Sequence, residues 1–204
     1  MSSNKIPALQ EFIRMIQSIP FVSSRHTYKL SEFFLKQEKE EFFNFFKYLC
    51  EIREKLELCE NCCCWKEKIE NCTWCGLNRE QDKICVLETW IDAMIFEKSG
   101  AFNGIYHILG GTISPIDGIT PDLLSFEKLL NKLKKPENKI QEIIIGTNQT
   151  PEGDATAFYL EKLLNNKEIN IQISYLASGI PVGTSFEFID KITIGKAYNN
   201  RRKN

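Results

Sequence analysis

Histidine is nearly absent: only His26 and His107 occur among 204 residues, which leaves little to act as a base beside the chain's carboxylates. His107 sits in an apolar run and reads as a packed, hydrogen-bonded core residue. Excess charge of either sign is missing too. Lys plus Arg number 26 against 27 Asp plus Glu, a net charge of -1, so the chain as a whole offers no general attraction for a polyanion. Contact with nucleic acid has to come from local patches or be multiplied by oligomerisation. No stretch approaches the roughly 20 apolar residues of a membrane helix. Lys5 and Pro7 lead into an amphipathic segment and not into an apolar leader core, so a reducing, cytoplasmic setting is expected.

Cysteine, by contrast, is plentiful, with eight in the chain. Cys59-Glu-Asn-Cys62 and Cys72-Thr-Trp-Cys75 place two soft ligand pairs on either side of a nine-residue spacer, the pattern of tetrahedral zinc. Disulfides are the alternative, and the expected compartment favours the metal. Cys59-x3-Cys63 is sterically possible, but the short loop repeated at Cys72 and Cys75 favours Cys62 and leaves Cys63 and Cys64 as spare thiols. Trp65 and Trp74 stand ready to cover the sulfurs, and Gly76 follows where a tight turn needs no side chain. With all four positions filled by protein sulfur, the zinc is expected to be structural, and its binding to be part of folding.

Upstream, Ile6, Leu9, Ile13, Ile16 and Ile19 recur at helical spacing over residues 5 to 19, ended by Pro20. A second helix is predicted over 26 to 35 and a third over Glu38 to Leu58. The third is so rich in phenylalanine that a partner chain is expected to cover part of it. Two short helices joined by a turn resemble a helix-hairpin-helix, although Pro20-Phe21-Val22-Ser23-Ser24 lacks the glycines that bring backbone close to a phosphate.

Downstream the pattern becomes an alternating α/β unit with a mostly parallel sheet. Strands are predicted at Ile84 to Leu87, Gly104 to Leu109, Glu142 to Ile145 and Ile171 to Leu176. Helices are predicted at Ile91 to Glu97, Phe126 to Leu133 and Ala155 to Leu164. Three acids fall at strand ends: Glu88 after the first strand, Glu152 and Asp154 after the third. Such oxygen ligands suit magnesium, yet nothing nucleophilic accompanies them, and Asp154 reads equally as a helix cap. Asp117, in Pro115-Ile116-Asp117-Gly118, reads as well as a turn residue. Lys191, Lys196, Arg201, Arg202 and Lys203 give the last thirteen residues before Asn204 five positive charges and no negative one, a nucleic-acid contact or a solubilising end.

Ile84-Cys85-Val86-Leu87-Glu88, the run Tyr106-His107-Ile108-Leu109-Gly110-Gly111-Thr112-Ile113-Ser114-Pro115-Ile116-Asp117-Gly118-Ile119, the run from Gly146 to Ala157, and Ala177-Ser178-Gly179-Ile180-Pro181-Val182-Gly183 follow one another around the cysteine cluster. In that order they resemble the RecR family of bacterial recombination mediators, from about Ile6 to Arg202. The resemblance implies four parts: a helix-hairpin-helix and dimerisation module at 1-56, a four-cysteine zinc finger at 57-79, a Toprim domain at 80-176, and a C-terminal extension with a basic tail at 177-204. It also implies a mediator with no catalytic residue. Such a protein acts with RecO, and in many bacteria RecF, to load RecA onto single-stranded DNA coated by single-strand-binding protein. Family members form dimers and ring-like tetramers able to surround duplex DNA. The family's DNA-contacting positions fall on Arg25 and Lys29, with Arg201 and Arg202 of the tail as further candidates. Glu88, Glu152 and Asp154 match the acidic unit implicated in partner contacts or in holding Mg2+. The family's Pro-Gly-hydrophobic-Gly hairpin is here Pro20-Phe21-Val22-Ser23. The rival reading is a Toprim-type magnesium-dependent phosphoryl-transfer enzyme acting on DNA.

Overall fold

The computed structural model describes residues 6–201 except 168 and 178, so Arg202 and Ser178 lie outside the described residues. The chain divides after Lys55 into two units.

The first unit is three helices, α1 (Pro7–Gln17), α2 (Ser24–Lys36) and α3 (Lys39–Lys55). Pro7 opens α1 at a position where the missing N–H costs nothing. Ser23 caps α2, its Oγ accepting from the His26 N–H at 3.4 Å. Thr27 and Ser31, four residues apart, form the buried stripe of α2, and their hydroxyls donate back to the carbonyls of Ser23 and Thr27. Aromatic rings fill the rest: Phe42 packs on Phe46 at 4.7 Å, and Phe34 lies within 6.0 Å of Phe42, Phe45 and Phe46. Yet α3 buries no residue, and Phe43 and Tyr48 stay about 60 % exposed within the single chain.

The second unit opens with a small antiparallel pair, β1 (Leu56–Leu58) and β2 (Trp65–Glu67), which flank the first cysteines. The third helix thus ends at Lys55 and not at Leu58, because Leu56, Glu57 and Leu58 pair with Glu67, Lys66 and Trp65. There follow β3 (Glu80–Leu87), α4 (Trp90–Ser99), β4 (Gly104–Ile108), α5 (Phe126–Leu133), β5 (Glu142–Ile145), α6 (Pro151–Asn166), β6 (Gln172–Tyr175) and α7 (Lys191–Asn199), with 3-10 turns at Pro121–Leu123 and Phe186–Phe188. The sheet order is β4-β3-β5-β6, every neighbour parallel. Side-chain alternation splits two cores. Ile84, Val86, Ile105, Ile143 and Ile145 meet Leu129 and Leu130 of α5 and Leu160 and Leu164 of α6. Cys85, Leu87, Tyr106 and Ile108 meet Ala93 of α4 and the cysteine cluster on the opposite face. His107 is fully buried on the α5 side.

Helix α6 begins four residues before its predicted start. Thr150, and not Asp154, is its cap: Thr150 Oγ1 accepts from the Gly153 N–H at 3.0 Å, with Pro151 in the first turn. Glu152 and Asp154 therefore lie inside that first turn, where carboxylates complement the helix dipole. No helix among the described residues is long and apolar enough to cross a membrane.

Candidate metal centre and acidic crevice

The sulfurs of Cys59, Cys62, Cys72 and Cys75 converge, all within 4.8 Å of one another, with Cys59–Cys75 at 3.7 Å and Cys62–Cys72 at 3.5 Å. Zinc at about 2.3 Å from each of four tetrahedral sulfurs sets them about 3.8 Å apart, so the donor set fits that ion. The local fold makes the convergence. Cys59 N–H donates to Cys64 O and Cys63 N–H to Cys59 O, both at 2.8 Å, and Cys63 takes a φ of 60 to close the loop. A Cβ at Gly76 would lie 2.6 Å from Cys72 O, so the second loop tolerates no side chain there. Crowding drives the thiols apart: hydrogen bonds from Cys62 and Cys75 draw Cys72 well below the usual thiol range, while hydrogen bonds with Cys72 and Cys75 push Cys62 up. Only a cation lets all four sulfurs ionise together. Cys64 is almost fully buried, with its thiol pushed up to about 12 by burial, and stays outside the group of four.

The knuckle is tied to the sheet. Tyr106 N–H donates to Trp74 O at 3.0 Å and Ile108 N–H to Cys62 O at 2.8 Å, so the outward side of β4 is met by knuckle backbone. Trp74 lies edge-on to Tyr106 at 5.9 Å, packs against the sulfur-containing core, and donates its indole N–H to Trp65 O. Trp65 also lines a separate apolar hollow with Trp90 and Leu58. Arg79, which nothing in the sequence singled out, locks the junction. Its mostly buried guanidinium donates to Thr73 O, Gly104 O and Glu97, and lies 5.1 Å from the centre of the Tyr106 ring.

The three acids are used differently. Glu88 is buried, its Oε1 accepting from Asn148 N–H and its Oε2 from Asn148 Nδ2, both at 2.6 Å. Gly153 permits this closure, since a Cβ there would lie 2.0 Å from Asn148 O and 3.0 Å from Glu88 Oε1. Glu152 and Asp154 are exposed, and Asp154 Oδ2 lies 3.8 Å from Lys196 Nζ, which also donates to Gln149 Oε1 at 3.1 Å. Among the described residues, the cysteines form the one group of three or more ligands close enough for a metal; Glu88, Glu152 and Asp154 do not form another. Asp117 accepts from Ser114 Oγ at 2.6 Å within a turn. His107 donates from Nε2 to Ser125 Oγ at 2.8 Å, because that hydroxyl spends its own proton on Ile108 O. Burial, then the charge of Lys132, pushes its pKa down to about 4.

Arg25 and Lys29 lie exposed four residues apart on α2, one helical face. Phe21 holds a φ of 68 before them, a left-handed conformation that suits glycine. Arg201 stacks its guanidinium 4.3 Å above the Tyr198 ring.

A Toprim domain model matches residues 82–177, and a model described as RecR, C-terminal, matches 179–202. The chain is 35 % identical over 198 residues to recombination protein RecR of Chloroherpeton thalassium, covering 95 % of this chain and 96 % of the relative. It is 37 % identical over 196 residues to recombination protein RecR of Paenarthrobacter aurescens, covering 96 % of each. Relatives of that identity along nearly the whole length, joined to a parallel sheet with a four-sulfur knuckle on one face, show that the chain belongs to the RecR family of recombination proteins.

Proposed function

We propose that this protein is a non-enzymatic, DNA-binding mediator of recombinational repair, acting in the cytoplasm with RecO, and with RecF where present, to load RecA onto single-stranded DNA coated by single-strand-binding protein. The end-to-end similarity to recombination proteins named RecR carries this reading. The enzymatic alternative finds no support in the crevice. Glu88 has both oxygens committed to Asn148, and the other two acids do not join it in a metal-binding group.

The proposed division of labour gives residues 1-56 the pairing of chains and the hold on DNA, 57-79 a structural zinc, 80-176 the docking of partners through Glu88, Glu152 and Asp154, and 177-204 a basic tail with Arg201 and Arg202. The incompletely covered phenylalanines of α3 favour a dimer, and a ring-like tetramer would repeat each weak basic patch four times around a duplex. That repetition supplies what a net charge of -1 lacks. Arg25 and Lys29 are the proposed phosphate contacts. The double change Arg25→Ala, Lys29→Ala is expected to weaken DNA binding, flatten its dependence on salt, and slow RecA filament growth on coated single strands. Wild-type affinity and salt slope in the double variant would remove the hairpin from the DNA interface.

A further inference from the structure

Helix α5 carries Lys128 and Lys132 four residues apart, and Lys135 follows in the turn that ends it. These side chains face Asn61, in the loop between Cys59 and Cys62, across two adjoining cavities of about 380 Å³ each. Asn61, Lys132 and Lys135 line both cavities, Lys128 lines one, and Lys139 lines the other. Four lysines there meet two carboxylates, Glu60 and Glu137, so the trough is net positive in a chain that is nearly neutral. At its floor Lys132 Nζ is buried with no hydrogen-bond partner among the described residues. An ammonium has three protons to donate and nothing to accept with, and a buried one calls for an anion. Like charges at i and i+4 on one helix also repel until something of opposite sign sits between them.

We propose that this trough binds a phosphate group, with Lys132 as its central donor and Lys128, Lys135 and the Asn61 amide around it. Several ammonium groups lining one trough match a multiply charged tetrahedral oxyanion better than a single planar carboxylate, since lysines act as point charges without the fork geometry of arginine. The site is separate from the hairpin contact and does not depend on it. Its phosphate comes either from a nucleic-acid backbone or from a free phosphate. Cys75 lines one end of the trough, which gives the lysines a competing role as counter-charge to the thiolates.

The test uses the full-length, zinc-loaded protein. Inorganic phosphate is titrated calorimetrically at constant ionic strength, with chloride as the control, into wild type, Lys132→Gln and Lys135→Gln. The same proteins are titrated with a fluorescent oligothymidylate across a series of salt concentrations. Phosphate should bind the wild type, about tenfold more weakly with Lys132→Gln and a few-fold more weakly with Lys135→Gln, as expected for loss of one charge-assisted bond. If the backbone is the source, each change should also lower the logarithmic salt slope on single strands by about 0.7. An unchanged slope with weakened phosphate binding assigns the site to free phosphate. The proposal is overturned if phosphate does no more than chloride on the wild type, or if both variants bind it as the wild type does. Zinc loss from Lys132→Gln with undiminished phosphate binding would leave only the counter-charge role. Should Lys132→Gln fail to fold, Lys135→Gln decides alone.

Discussion

Replacing Cys62 by serine removes one of the four convergent sulfurs and should release the ion. Three contacts to the sheet depend on the shape of the knuckle. Tyr106 N–H to Trp74 O, Ile108 N–H to Cys62 O, and the edge-on packing of Trp74 against Tyr106 join it to β4. Each contributes about 1 kcal/mol, so about 3 kcal/mol is lost before the binding energy of the metal itself is counted. For a chain of this size that corresponds to a fall in Tm of about 6–12 °C. The knuckle cannot stand on its own strands, because two three-residue strands do not make a stable sheet, and the Arg79 clamp on Thr73 O and Gly104 O is what remains once the metal is gone. The assay is zinc content by atomic absorption, thermal unfolding in reducing buffer, and amide hydrogen exchange read at Tyr106 and Ile108. A zinc-free Cys62→Ser protein that melts within about 2 °C of wild type and still protects both amides would refute the reasoning.

Two further outcomes are expected. His107 is neutral in the fold with a pKa near 4 against 6.5 unfolded, so the unfolded chain binds the proton first. Its contribution is complete above pH 6.5 and shrinks as pH falls toward 4, by about 2 kcal/mol on reaching about pH 5. In urea unfolding at the two pH values His107→Gln should lack this component; an equal pH slope in variant and wild type contradicts it. Phe21 is fully exposed and holds a φ of 68, so Phe21→Gly should stabilise the helical unit by about 0.5 kcal/mol, the left-handed cost relieved less the added chain entropy. A destabilisation beyond about 1 kcal/mol in a urea titration would mean that the ring is held by contacts outside the single chain.

What the sequence made legible was whatever repeats locally. Ile84-Cys85-Val86-Leu87 and Glu142-Ile143-Ile144-Ile145 read as buried strands because both faces of a parallel sheet are covered, and the cysteine spacing named the four sulfurs that converge. The misreadings arose where a distant partner overrode local pattern. Leu56-Glu57-Leu58 continues the helical spacing of α3, and only pairing with Trp65–Glu67 makes it a strand. Pro151-Glu152-Gly153-Asp154 precedes the predicted helix start at Ala155, yet Pro151 suits a first helical turn and Gly153 is required by the close approach of Asn148. Asn148 itself lies 60 residues from the Glu88 it grips, and Arg79 reaches Gly104 across 25. Neither spacing leaves a periodic trace. The hairpin is an intermediate case: Pro20-Phe21-Val22-Ser23 lacks the glycines that bring backbone close to a phosphate, yet Phe21 takes a left-handed conformation with an aromatic side chain in it.

Strand β4 ends the row β4-β3-β5-β6, and without the knuckle its outer amides would present an open hydrogen-bonding border. Such a border is a template for another polypeptide, and β4 is apolar throughout save His107, with all five of its residues buried. The ion therefore does more than hold a loop in shape: it keeps a sticky strand covered. A chain synthesised under zinc starvation would meet its first hazard as self-association through Gly104–Ile108, ahead of any loss of grip on DNA, and metal supply would set how much usable protein accumulates.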